Sequence, residues 1–125
     1  MRLNENLKAK YYVDFYERGY PYFDREFAGR LMEYFEIDIK AKVYSLSTGQ
    51  RAMLYFGLAL ASRCPVTMFD EPFNGMDIEK RKLAGKILLN DYLEYPRNIM
   101  ISSHILTEIE HLLEEIVVIN DEKVI

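Results

Sequence analysis

The chain has 125 residues, half of them hydrophobic and 29% charged, with a formal charge of −4 and one cysteine. That balance predicts about one folded domain rather than a disordered segment, speaks against a nucleic-acid surface dominated by Lys and Arg, and excludes an intrachain disulfide or a cysteine-built zinc site. No apolar run approaches the ~18 residues that span a bilayer and the N-terminus shows no signal-peptide pattern, so the expectation is a soluble piece in a reducing compartment.

Residues 1–63 read as helical. In "LNENLKAKYYVDFYE", Leu7, Tyr11 and Phe15 recur at steps of four and mark one helix face. Gly19 and Pro21 interrupt that pattern. "DREFAGRLMEYFEI" resumes it with Phe27, Leu31 and Phe35, and Asp24 is placed to cap its first turn. A third helix is expected from about Thr48 to Ser62.

After Pro65 the pattern becomes strand, helix, strand, helix, strand. "VTMF" is a short run of β-formers ending on Asp70 and Glu71. "IEKRKLAGKILLNDYLEY" is helical, with Leu83, Ile87 and Leu88 on one face and Pro96 closing it. "NIMIS" is again strand-like, "ILTEIEHLLEE" is a helix through Ile105, Ile109 and Leu112, and "IVVIND" with "KVI" predicts a strand turning into a short strand. Strands alternating with crossover helices imply an α/β fold with a parallel sheet, its strands buried on both faces.

Three stretches carry chemistry. In "SLSTGQ", Ser47 and Gln50 have the spacing of a capping box, worth about 1 kcal/mol. The alternative gives Gly49 a role: a helix mouth has free N–H groups and partial positive charge, and a glycine lets an anion come close to the backbone. On this stretch alone the plain cap is favoured.

"VTMFDEPFNGMD" places Asp70 and Glu71 at the C-terminal edge of a strand, where open α/β sheets bind ligands. Asp70 is suited to hold Mg²⁺ and Glu71 to take a proton from an attacking water, or both are solvated loop acids. Asp77 reads either as part of that site or as the N-cap of the next helix. In "MISSHILTEIEH", His104 follows Ser102 and Ser103 on the same sheet edge and is suited to contact a γ-phosphate, or it is a capping or packing residue. His111 reads as ordinary surface or packing. A His104/His111 metal pair lacks further ligands at the right spacing.

In this order the stretches resemble the ATP-binding subunit of an ABC (ATP-binding cassette) transporter. "LSTGQ" (46–50) is similar to the signature LSGGQ, "VTMFDE" (66–71) to Walker B with its catalytic glutamate, "NGMD" (74–77) to the D-loop and "SSH" (102–104) to the switch histidine; "NENL" resembles the opening of the helical subdomain. The resemblance covers nearly the whole chain. It implies a partial P-loop NTPase fold, with residues 1–63 as helical subdomain including the signature helix and 64–125 as the C-terminal half of the RecA-like core.

In the family two nucleotide-binding domains sandwich ATP, and the signature of one faces the γ-phosphate held by the other. The resemblance therefore implies ATP and Mg²⁺ as cofactors, with Ser47, Gly49 and Gln50 at the phosphate, Asp70 at the metal, Glu71 polarising water, His104 steadying the γ-phosphate and Asp77 linking the two sites. It implies a second nucleotide-binding domain and a membrane permease as partners, no nucleic acid, and a place at the inner face of the plasma membrane. The wording of "DEPFNGMD" and "SSHILTEIEHL" resembles bacterial drug exporters.

Thr48 departs from the family's first Gly, which stiffens the backbone there. The sequence contains no G-x-x-x-x-G-K-[ST]: Gly85-Lys86 is followed by Ile87, has Lys80 where the first glycine belongs, and falls mid-helix. The Q-loop and the adenine-stacking aromatic also have no counterpart, so the expectation is the C-terminal part of such a domain, inactive alone. In the family a further strand lies between "NIMIS" and "IVVIN"; without it the chain is expected to oligomerise, to pair those two strands, or to leave its end poorly ordered. Rival readings are a non-transport ABC ATPase acting on DNA or ribosomes, a non-catalytic interaction module, and a metal-dependent hydrolase using Asp70, Glu71 and His104.

Overall fold

The computed structural model describes residues 4–102, 119–120 and 123–124. Helices α1 (Ala9–Gly19), α2 (Arg25–Tyr34) and α3 (Thr48–Ala61) are followed by strand β1 (Val66–Asp70), helix α4 (Ile78–Glu94) and strand β2 (Asn98–Ser102). Two short strands, β3 (Ile119–Asn120) and β4 (Lys123–Val124), pair antiparallel with each other. The helix expected over 105–115 lies outside the described residues.

The stretch before α1 runs antiparallel to residues 39–44. Val43 N–H donates to the Leu7 carbonyl and Tyr44 N–H to that of Glu5, while Ala9 and Lys10 donate to Ala41 and Ile39. A 3₁₀ turn at Val43–Ser45 then leads into α3. The buried residues of α1 are Ala9, Tyr12 and Val13, whereas Tyr11 and Phe15 of the four-step pattern are exposed. A helix with aromatics on two sides offers two apolar faces, and the one that meets α2 and α3 is decided by packing. In α2, Asp24 is the N-cap, its Oδ1 accepting from Phe27 N–H at 2.9 Å.

Helix α3 is the spine of the core. Met53, Leu54, Phe56, Leu58 and Leu60 are fully or almost fully buried, each contributing about 1.5–3 kcal/mol of apolar burial. The Phe56 ring meets Phe69 of β1 at 5.2 Å and Phe73 at 5.7 Å. One cluster of buried residues runs from Ala9 to Leu88, through both stretches that the sequence separates at Pro65.

Strands β1 and β2 are parallel, in register from Val66 opposite Asn98 to Asp70 opposite Ser102, with α4 as the crossover. Burial alternates along β1: Thr67 and Phe69 are buried, while Val66 is 54% and Met68 70% exposed, and Met100 of β2 is 49% exposed. Burial on both faces is thus not met among the described residues, because α3 covers one face only. Nor does β3 join β2 there; the two sheets are β1–β2 and β3–β4. Gly85 is buried within α4, as expected of a helix interior and not of a phosphate loop.

A buried charge cluster ties the far end of the helices to the sheet. Asp91 of α4 is 5% exposed and meets Arg63 at 2.9 Å and Arg97 at 3.0 Å. Arg97 also donates to the Leu60 carbonyl at 3.0 Å and to Thr67 Oγ1 at 3.3 Å. Arg63 reaches Asp24 at 3.3 Å and lies 3.6 Å from the centre of the Tyr95 ring. Burial pushes the Asp91 carboxyl above its ordinary value, against the downward pull of the two guanidiniums.

Candidate functional site

The mouth of α3 is a full capping box. Ser47 Oγ accepts from Gln50 N–H at 3.1 Å, and Gln50 Oε1 accepts from Ser47 N–H at 3.0 Å. The Gln50 amide nitrogen donates to the Glu36 carbonyl at 3.1 Å, so both ends of that side chain are engaged within the helical stretch. Ser47 and Thr48 are exposed while Gly49 is buried. A β-carbon on Gly49 would stand 3.1 Å from Lys80 Nζ and 3.8 Å from the Gly75 carbonyl oxygen. The space left by the missing side chain is therefore occupied by an ammonium from α4 rather than open to solvent, and the positive end of the helix gains a neighbouring cation.

The acidic tip lies at the C-terminal end of β1. Asp70 is exposed, and its Oδ1 accepts a 2.8 Å hydrogen bond from Ser102 Oγ, its opposite number on β2. Glu71 N–H donates to the Ser102 carbonyl at 2.7 Å, extending the ladder one residue past the strand. Glu71 has φ +48°, a left-handed conformation that costs a non-glycine residue roughly 1–2 kcal/mol. The turn that follows is pinned by the buried side chains of Phe73 and Met76, and Asn74 N–H returns to the Glu71 carbonyl at 3.2 Å.

That turn meets the helix mouth. Gly75, at φ +89°, packs with its open side 2.8 Å from Thr48 Cγ2, measured from where a β-carbon would be. Asp77 ends the turn as the N-cap of α4, Oδ1 accepting from Lys80 N–H at 2.8 Å. The structure thus groups Ser47, Thr48 and Gly49 with Gly75 and Lys80, and groups Asp70 and Glu71 with Ser102; the turn 71–77 runs from one group to the other. His104 and His111 lie outside the described residues. Sequence pattern gives Lys80 no role, and Ser102 none beyond its place in "SSH"; strand register and a cross-element contact single them out. Among the described residues no three His, Cys, Asp or Glu side chains are grouped to hold a metal ion, and no helix is long and apolar enough to cross a membrane.

No protein-family model matches the chain. It is 34% identical over 112 residues to the ABC transporter ATP-binding protein YtrB of Bacillus subtilis, covering 90% of this chain and 38% of that protein. It is 34% identical over 87 residues to the lantibiotic transport ATP-binding protein SrtF of Streptococcus pyogenes, covering 69% of this chain and 37% of the relative. The chain thus spans well under half the length of these relatives. Among solved structures it is similar to a bacterial ABC transporter cassette determined as a dimer, with a TM-score of 0.79 at 20% identity over 98% of this chain and 56% of that one. An ATP-binding subunit of an ABC transporter matches at a TM-score of 0.75 and 23% identity, over 98% and 53% of the two chains. These two show the fold, an ABC ATPase cassette of the P-loop NTPase class, of which the described residues form a partial α/β unit. With the motif order and the similarity to YtrB, they place this chain in the family of ABC transporter ATP-binding proteins.

Proposed function

We propose that the chain is the C-terminal part of an ABC transporter ATP-binding subunit, and that the whole subunit hydrolyses ATP in a sandwich of two domains to drive transport, in the direction of export. Residues 1–63 are its helical subdomain and 64–125 belong to its ATPase core. The partners are a second nucleotide-binding domain and a membrane permease at the inner face of the plasma membrane. The similarity to YtrB and SrtF, both transporter ATP-binding proteins, supports the transport role, and the resemblance of "DEPFNGMD" to exporter sequences supports the direction.

Each residue has one task in this reading. Ser47 and the Gly49 amide at the α3 mouth contact the γ-phosphate held by the partner domain, with Gln50 fixing the cap that presents them. Glu71 accepts the proton of the attacking water and His104 steadies the γ-phosphate. Asp70 is the residue to hold Mg²⁺. The fit is chemical: an exposed carboxylate at a strand end, one oxygen fixed by a hydroxyl, is a hard donor of the kind that cation takes. When bound, Mg²⁺ supplies charge neutralisation of the phosphate oxygens. Asp77, through the turn it closes, links the chain's acidic tip to its own signature helix, which serves the other ATP.

The observation that carries the reading is the seating of Gly75 against Thr48. In this reading the contact would join the hydrolytic half of one ATP site to the phosphate-sensing half of the other, the link two coupled sites require. Glu71→Gln in the whole subunit tests it. ATP-driven dimerisation should persist while turnover falls about 10²–10⁴-fold, the usual share of a general base. Equal loss of both would make Glu71 a structural residue.

A further inference from the structure

We infer that Ser102 is a positioning residue for both acids at the end of β1, acting on Asp70 through its hydroxyl and on Glu71 through its carbonyl. The inference rests on the reading of Asp70 as the metal-holding acid and Glu71 as the base. The parallel register sets Asp70 and Ser102 side by side at the last step of the sheet. There the Ser102 hydroxyl donates to Asp70 Oδ1 at 2.8 Å, and the Ser102 carbonyl accepts from Glu71 N–H at 2.7 Å.

An exposed aspartate at a strand end is otherwise free to turn about its side-chain torsions, and an ion would bind it only after that freedom is lost. A hydroxyl donor restricts one oxygen without adding charge, so the carboxylate keeps the full negative charge a cation needs. The carbonyl contact does separate work. Glu71 leaves the strand at φ +48°, and the bond to Ser102 holds its backbone at the residue where the chain turns. Substituting the side chain removes only the first of these contacts. Ser102 is exposed, so truncating it empties no core.

The test uses the whole subunit loaded with ATP, with Glu71→Gln present to stop turnover, and follows Mn²⁺ binding by electron paramagnetic resonance. Ser102→Ala should weaken Mn²⁺ binding about 10-fold, in the range of loss when a ligand's outer partner is removed, and Ser102→Thr should restore it. Asp70→Ala should weaken it more than either. Unchanged Mn²⁺ affinity in Ser102→Ala beside a clear loss in Asp70→Ala overturns the role of Ser102 and leaves the reading of Asp70 standing. Unchanged affinity in Asp70→Ala overturns that reading, and the inference with it. A merely structural pairing of strand ends would shift the denaturation midpoint of Ser102→Ala and leave its Mn²⁺ affinity alone.

Discussion

Gly75, in the turn after β1, and Thr48, the first residue of α3, are 27 residues apart in the chain and packed so closely that a β-carbon on the glycine would lie 2.8 Å from the threonine methyl. Two demands meet at Gly75, since its φ of +89° is also one that side chains rarely adopt. The contact gives Thr48 a packing role within this chain.

Gly75→Ala should therefore destabilise the fold by about 1–3 kcal/mol, from left-handed strain and from displacement of the Thr48 methyl. Thr48→Ala removes that methyl. In its background the cost of Gly75→Ala should shrink by about 0.5–1 kcal/mol, leaving the conformational part. Urea denaturation of the two single variants and the double variant measures both parts. Strict additivity would show that the methyl and the glycine do not interact.

The helix mouth separates stability from activity. Ser47→Ala loses a cap and should cost about 1 kcal/mol, while Ser47→Thr should retain most of it. Gly49→Ala behaves differently. Its β-carbon meets the flexible end of Lys80, which can swing away, and alanine favours the helix by up to about 1 kcal/mol. The folded state should be unharmed or slightly stabilised, whereas ATP-driven dimerisation of the whole subunit should be lost as the new methyl crowds the amide. Thermal denaturation and light scattering with ATP give the two readouts.

The Asp91 cluster is the principal buried electrostatic feature among the described residues. Asp91→Asn leaves Arg63 and Arg97 buried without their shared acid and should destabilise by about 3 kcal/mol. The pH dependence has a definite sign. Because the folded carboxyl titrates above its ordinary 3.8, the native state holds more protons than the unfolded state in the interval above that value. Stability contributed by this group accordingly falls as pH rises from 3.8 through the native pKa, then levels off. Denaturation midpoints across that interval should show the fall in the wild type and lose that component in Asp91→Asn. A component of opposite slope would mean that the arginines outweigh burial.

Much of this protein follows from local patterns. The caps at Asp24, Ser47 and Asp77 and the limits of α3, α4, β1 and β2 are set by interactions within a few residues, and the order of short motifs carried the resemblance to ABC ATP-binding proteins. Tertiary structure decided what depends on contacts between distant segments. It chose Tyr12 and Val13 over Tyr11 and Phe15 as the inner face of α1, left Met68 and Met100 exposed, and filled the space at Gly49 with Lys80. It also set Ser102 beside Asp70. Periodicity tells which residues share a face, but only packing and strand register decide what that face meets.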